Sequence, residues 1–372
     1  MQFIDLKAQQ ARIKEKIDAQ IQNVLTHGAY IMGPEVKELE KKLANYIGVK
    51  YAVGCASGTD ALLMPLMAYE TGPGDAIFTV SFTFIATAEV VQLLGATPVF
   101  IDIDAKTFNM DVQKLEDAII KVKNEGKLRL KGIIPVDLFG QPADYDEIKA
   151  IAKKYGMFVI EDAAQGFGGM YKNKRACSLT EIGATSFFPA KPLGTYGDGG
   201  MIFTDDDDIY KKLTSIRVHG QGSDKYNNIR IGINGRLDTF MAAILLPKFE
   251  IFEEEIGLRQ QVAKRYSENL KDSVTVPFIK EHNISAWAQY SILHPEREKV
   301  MAGLKADGIP TAVYYPKPLH LQDAFVKLGY KHGDLPVSEK IAGDIFSIPM
   351  HPYLVHGEQD LVINSIKKHT KK

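Results

Sequence analysis

Tyr145-Asp-Glu-Ile-Lys-Ala-Ile-Ala-Lys-Lys-Tyr155-Gly-Met157-Phe-Val-Ile160-Glu161-Asp162-Ala-Ala-Gln165 reads as a helix that runs into a short apolar, β-branched strand. A run of that kind after a helix is a buried parallel strand, and Asp162 falls at its carboxyl end, where open α/β sheets place ligands. The same alternation extends in both directions. Upstream, Leu39 to Ile47 reads as a helix and Tyr51 to Gly54 as a strand. Ala76 to Val80 and Thr97 to Ile103 are strands around a helix near Ala86 to Leu94, and Gly132 to Val136 is another strand. Downstream, Thr185 to Phe188 and Met201 to Thr204 add two more, and Asp205 to Asp208 reads as a turn and helix start, where acidic side chains are favoured. Strands and helices in this order imply right-handed crossovers and a mainly parallel sheet.

Three motifs carry chemistry. Ser186-Phe-Phe-Pro-Ala-Lys191-Pro-Leu-Gly-Thr-Tyr-Gly-Asp-Gly-Gly200 sets one lysine between an apolar run and a glycine-rich loop. Most lysines are solvated surface charges, but an amine held in a pocket loses hydration, its pKa falls and it becomes a nucleophile toward carbonyls. Asp162 can cap the following helix; equally, a strand-end carboxylate can pair with a protonated pyridine nitrogen. In Cys55-Ala-Ser57-Gly58-Thr59-Asp60, Ser57 and Asp60 have capping-box spacing. That is a helix cap, and its first amides, at Gly58 and Thr59, also suit an anion. Together the three supply a phosphate cradle, a partner for a ring nitrogen and an amine: the needs of a phosphorylated aldehyde cofactor such as pyridoxal phosphate (PLP).

With Ala56-Ser-Gly-Thr59, Ser81-Phe-Thr-Phe-Ile-Ala-Thr87, Glu161-Asp-Ala-Ala-Gln165, Ser186-Phe-Phe-Pro-Ala-Lys191 and Gly232-Ile-Asn234-Gly-Arg236 in this order, the chain resembles the DegT/DnrJ/EryC1/StrS nucleotide-sugar aminotransferases. The resemblance runs from Phe3-Ile-Asp-Leu6 to Tyr314-Tyr-Pro316 and Pro318-Leu-His320. It implies a fold type I PLP-dependent transferase: an α/β domain with a mainly parallel sheet of seven strands, and a smaller α+β C-terminal domain. It also implies roles. Lys191 joins the cofactor aldehyde and serves as general base and acid. Asp162 pairs with the pyridine nitrogen, Phe84 stacks on the ring, and Gln165 lies near its other side. Gly58, Thr59 and Ser186 hold the phosphate, and Asn234 reaches it from a neighbouring subunit, so the site belongs to a homodimer. Some relatives carry histidine in place of this lysine and dehydrate the sugar; Lys191 argues for transamination, with glutamate as donor and ping-pong kinetics.

Phe3-Ile-Asp-Leu6, Ile31-Met-Gly-Pro-Glu-Val36 and Phe187 to Gly200 look closest to one branch. It aminates C3 of a UDP-linked 2-acetamido-2-deoxy-3-oxo-glucuronic acid, toward bacterial surface polysaccharide (O-antigen). A uronate carboxylate suits bidentate arginine, with Arg236 the first candidate and Arg217 the second; a structural salt bridge is the alternative for both. Tyr314, Tyr315 and His320 stand in a Pro-punctuated loop able to cover a nucleotide, or simply to pack. A neutral 3-keto sugar and a 4-keto-6-deoxy sugar are the alternative substrates.

The 372 residues, 45% hydrophobic, suffice for two lobes. Pro247 is expected to interrupt the long helical sequence Asp238 to Leu270 and to mark the junction of a large PLP-binding domain, 1–247, with a smaller one, 248–372. In the latter, Ser291 to His294 and Thr311 to Tyr315 read as strands, and the basic Lys367 to Lys372 as a frayed tail. The net charge of −1 implies no nucleic-acid partner. Two cysteines and no signal peptide point to a cytoplasmic protein. No run has the length of a membrane span, and the nine histidines lack metal-ligand spacing.

Overall fold

The computed structural model describes residues 1–371. Strands β1 (Tyr51–Cys55), β2 (Asp75–Val80), β3 (Thr97–Ile101), β4 (Arg129–Ile134), β5 (Phe158–Asp162), the two-residue β6 (Met170–Tyr171) and β7 (Lys174–Arg175), β8 (Ile182–Ser186) and β9 (Gly200–Thr204) alternate with helices. These are α1 (Leu6–His27), α2 (Pro34–Ile47), α3 (Gly58–Ala68), α4 (Ala86–Leu93), α5 (Val112–Glu125), α6 (Tyr145–Tyr155) and α7 (Asp207–Ile216). Seven of the strands form one sheet in the order β1-β9-β8-β5-β4-β2-β3. Its β5–β8, β4–β5, β2–β4 and β2–β3 pairs are parallel, and only β9 runs against the rest.

Both faces of the sheet are covered, which is why its strands read as continuous apolar runs. Phe78, Ile133 and Val159 pack on α5 and α6, while Ile77, Ile134 and Ile160 pack on α3, α4 and α7. Burial of each such side chain contributes roughly 1.5–3 kcal/mol. Caps set the helix ends: Pro34 stands at the first position of α2, Gly156 closes α6 in the left-handed region at φ 67°, and the Asp206 carboxylate accepts the Asp208 and Ile209 amides.

Beyond the sheet come α8 (Thr239–Glu250), α9 (Phe252–Leu270), β10 (Asn283–Ile284), β11 (Tyr290–Leu293), α10 (Arg297–Ala306), α11 (Pro336–Asp344), β12 (Ile345–Ile348) and α12 (His356–Thr370). Pro247 does not interrupt α8. The break falls at Ile251, the single residue between α8 and α9, at φ −103°, ψ 0°. Core packing changes hands along α9: Phe252 and Ile256 pack with Tyr46 and Phe167 under the large sheet, whereas Val262 to Leu270 join Tyr290, Phe346 and Ile366 in a second core.

Three local expectations are corrected. The strand read at Thr185 to Phe188 is β8, three residues earlier at its start. Its start includes Gly183, where only glycine fits because a Cβ would stand 2.3 Å from the Cys177 carbonyl oxygen. Thr311 to Tyr315 is not a strand; only Ala312 bridges to Ser347, and β11 pairs instead with β12. The basic C-terminal run is not frayed through Thr370. It is the last turn of α12, where Lys368 and His369 bind Asp307 at 2.9 and 3.0 Å, a placement the helix dipole favours. Lys372 lies outside the described residues.

Candidate active site

The carboxyl edge of the sheet gathers the predicted residues. β1 ends at Cys55, and Ser57 caps α3, its Oγ accepting the Asp60 amide at 3.0 Å. The amides of Gly58 and Thr59 open α3, where first-turn N–H groups have no intrahelical acceptor. Gly58 packs against the end of β8: a Cβ there would meet Ser186 Cβ at 2.6 Å and Oγ at 2.9 Å. Gly200, the first residue of β9, is equally tight, with Ser57 O 2.3 Å from where its Cβ would be. Two glycines and a strand-end serine thus make a cradle that larger side chains would fill, beside free amides and a helix N-terminus. Those are the requirements of a phosphate site.

Asp162, the last residue of β5, is 4% exposed. Its Oδ2 accepts from Thr87 Oγ1 at 2.8 Å and its Oδ1 from the Ala164 amide at 3.1 Å. Burial raises its pKa, opposed by these two donors and by the charge of Lys191. The Asp162 side chain therefore both caps the following turn and offers a buried carboxylate to a cation. The Lys191 amine is enclosed in the same cleft. Burial lowers its pKa, and the Asp162 carboxylate pulls it back up. The loop that carries it is closed by Lys191 N–H to the Phe188 carbonyl at 2.9 Å and Thr195 N–H to the Phe187 carbonyl at 2.8 Å.

Phe84 precedes α4 and is 54% exposed, an unusual state for phenylalanine unless its ring lines a cleft. Gln165 is oriented on both sides: Oε1 accepts the Phe139 amide at 2.6 Å and Nε2 donates to the Tyr315 hydroxyl at 3.1 Å. The Tyr315 ring stands 6.3 Å from that of Phe84, so Phe84, Gln165 and Tyr315 form one group. Tyr314 is half-buried and packs toward Phe3.

Other predicted residues sit elsewhere. His320 is 1% exposed, held between Ser81 Oγ at 2.6 Å and Glu339 at 3.1 Å, so it anchors its loop to the end of β2. Arg217 is buried against Glu40 at 2.5 Å and the Gly54 carbonyl at 3.0 Å. Arg236 is half-buried and its Nε is buried without a partner. Asn234 is exposed.

Three features were not legible as parts of the site. Thr87 lies in a quoted motif, but its bond to Asp162 spans 75 positions. Asp137 and Glu161 are two neighbouring buried carboxyls behind Asp162: Asp137 Oδ1 accepts from the Tyr145 hydroxyl and the Ala143 amide, Glu161 accepts the Cys177 and Leu179 amides, and burial raises both pKa values, that of Asp137 to about 7. Lys248 contacts the Lys191 loop from α8. Glu161 also lies in a quoted motif, but no sequence signal pairs it with Asp137 or marks Lys248. Among the described residues, no cluster of three or more His, Cys, Asp or Glu has the arrangement of a metal site, and no helix is long and apolar enough to cross a membrane.

Comparison with known proteins fits this geometry. A UDP-2-acetamido-2-deoxy-3-oxo-D-glucuronate aminotransferase of Pseudomonas aeruginosa is 56% identical over 355 residues, covering 95% of this chain and 96% of its own. The crystal structure of a DegT DnrJ EryC1 StrS aminotransferase from Brucella abortus superposes with a TM-score of 0.98 at 53% identity, over 100% of both chains. NtdA from Bacillus subtilis, solved with bound cofactor PMP, superposes at 0.89 with 30% identity, over 100% of this chain and 83% of its own. The model of the DegT/DnrJ/EryC1/StrS aminotransferase family matches residues 11–367, and the chain belongs to that family.

Proposed function

We propose that this protein is a PLP-dependent sugar-nucleotide aminotransferase. Its substrate is UDP-2-acetamido-2-deoxy-3-oxo-glucuronate, aminated at C3, with glutamate as donor. The observation that carries the reading is the Lys191 amine, its pKa lowered by burial, sharing a cleft with the buried Asp162 carboxylate. The residues present fit the cofactor. Gly58, Thr59 and Ser186 would hold the phosphate, Asp162 the ring nitrogen, and Phe84 a ring face. When bound, PLP supplies an electron sink for carbanions next to nitrogen.

The chain's own groups do the rest. Thr87 and the Ala164 amide orient Asp162 and favour its charged form. Lys191, with its lowered proton affinity, accepts and returns the proton at the carbon bearing nitrogen. Gln165 is fixed by Phe139, so its Nε2 faces the Tyr315 oxygen and the Tyr315 proton is free to point into the cleft. The uronate reading is supported by the Pseudomonas relative, and Arg236 is the arginine proposed to meet the carboxylate. Arg217, tied to Glu40, serves the fold instead.

The deciding experiment is the reverse half-reaction. UDP-2-acetamido-3-amino-glucuronic acid is added to the PLP-loaded protein beside the matching neutral 3-amino sugar, and the cofactor spectrum is followed. Conversion with the uronate alone is expected. Conversion with the neutral sugar instead discards the carboxylate requirement, and silence with both discards the 3-amino substrate class.

A further inference from the structure

Lys248, near the end of α8, is 1% exposed. Its ammonium donates to a single acceptor, the Gly194 carbonyl at 2.6 Å, and lies 4.4 Å from the centre of the Tyr196 ring. No carboxylate among the described residues forms a salt bridge with it. Glu255 faces it from α9, but that carboxylate is taken by Gln9 Nε2, at 2.9 and 2.8 Å, and by Tyr353. Tyr196 faces it from the loop, and α1 contributes Ile13 and Ile17 to the apolar cluster around Tyr196. The Lys16–Glu250 and Arg12–Glu254 pairs of α1 lie at the exposed rim.

A buried ammonium with three donors and one acceptor costs stability, and a hydrophobic residue of similar volume would cost less. The return must lie in what it touches. Gly194 and Tyr196 follow Lys191 by three and five residues in one tight loop. A Cβ on Gly194 would stand 2.5 Å from Pro189 O and 2.7 Å from Phe188 O, so carbonyl dipoles crowd there. The Gly194 carbonyl turns outward onto Lys248. The loop's other hold on α8 is Thr195 Oγ1 to the Met241 carbonyl at 3.2 Å.

We propose that Lys248 is a positioning residue for Lys191: its ammonium clamps Gly194 and Tyr196 to α8 and holds the Lys191 loop in place facing Asp162. The inference rests on Lys191 being the amine that joins the cofactor. Burial pushes the Lys248 amine down to about 8, opposed by Glu255. The clamp is therefore charge-assisted below that pH and weaker above it.

The test uses the full-length protein, wild type and Lys248→Met. Amide hydrogen exchange of residues 187–199 is measured without cofactor, alongside Tm and titration with PLP. In the variant, exchange at the Lys191 and Thr195 amides should rise about tenfold and PLP bind about tenfold more weakly, the loss of one charged hydrogen bond. Tm should hold or increase. In the wild type, exchange of this loop, corrected for its intrinsic pH dependence, should rise on passing above pH 8, and Lys191→Ala should leave that rise in place; if Lys248→Met does not fold, Lys248→Leu takes its place in the same exchange and titration measurements. Unchanged loop exchange and PLP affinity would overturn the proposal, as would exchange that rises evenly across the chain with a lower Tm. Borohydride fixation of PLP on a lysine other than Lys191 would sink the Lys191 assignment, while the exchange data still judge the clamp.

Discussion

At the scale of single residues, the cleft works through two groups whose proton affinities burial moves in opposite directions. Desolvation lowers the pKa of Lys191 and raises that of Asp162, and each charge partly restores the other. With PLP bound, Lys191 would join its aldehyde and Asp162 would face its ring nitrogen, so the two residues would no longer depend on each other's charge. Lys191→Ala should therefore give protein with no borohydride-stable cofactor adduct, checked by mass spectrometry; an adduct that persists on another lysine disproves the assignment. Asp162→Asn should still bind PLP but lose on the order of 10²–10⁴-fold in kcat, since an amide cannot hold the ring nitrogen protonated; near-normal turnover removes Asp162 from that role. The Asp137–Glu161 pair behind it makes a prediction about stability. Its folded-state pKa values are raised, so the folded protein holds a proton that the unfolded chain releases. That contribution is complete below 3.8 and is lost as pH rises through about 7. In Asp137→Asn, the fall of Tm across this window should be shallower than in the wild type, and parallel curves would show that the pair does not titrate there. Lys191, Asp162 and Gly58 were legible in the sequence because strand ends and helix caps mark them locally. Thr87 and Lys248 were not, because their partners stand 75 and 54 positions away and only the fold brings them together.

At the scale of elements, the proposed phosphate cradle is an agreement between three strand ends, β1, β8 and β9, and the start of α3. The capping box and the strands were each readable alone. Their meeting was not, because it depends on β9 inserting between β1 and β8 with reversed direction. The closeness of Gly58 to Ser186 makes the cradle testable. Gly58→Ala places a methyl group 2.6 Å from Ser186 Cβ, so one of the two elements must shift. Apparent PLP affinity should fall by about tenfold or more, the equivalent of one charged hydrogen bond, and inorganic phosphate should protect the variant less against thermal unfolding than it protects the wild type. Equal phosphate protection in both proteins would place the anion elsewhere. Where local reading erred, tertiary contact overrode a residue's usual meaning. Pro247 was expected to kink or interrupt the helix, yet it is buried inside α8, and the helix ends four residues later, at Ile251. The partner strand β12 follows directly on α11, with no turn signal to separate them.

At the scale of the whole molecule, the large sheet was foreseeable from the strand–helix alternation; a smaller α+β lobe was expected after Pro247, but not which residues form its core, since they are scattered from Val262 to Ile366 among short elements. One surface remains unexplained by a single chain. Asn234 is exposed, and the loop leading to it displays Tyr226, Ile229 and Ile231 at 84%, 56% and 86% exposure. Exposed apolar side chains of this kind suit an interface, and we propose, as the sequence resemblance implies, that Asn234 at the end of this loop enters a neighbour's cleft. If it does, a symmetric dimer has two sites, each built from Lys191 of one subunit and Asn234 of the other. Lys191→Ala and Asn234→Ala are then each inactive alone, but a mixed dimer of the two has one site with both native residues. With free subunit exchange and equal amounts, half the dimers are mixed, and about a quarter of the wild-type activity should return. If Asn234 serves its own subunit, every site in every dimer carries one substitution, and mixing restores nothing. Tagging the two variants differently and purifying the mixed species verifies the exchange. An inactive purified heterodimer would then refute the shared site, while one with about half of wild-type activity would establish it.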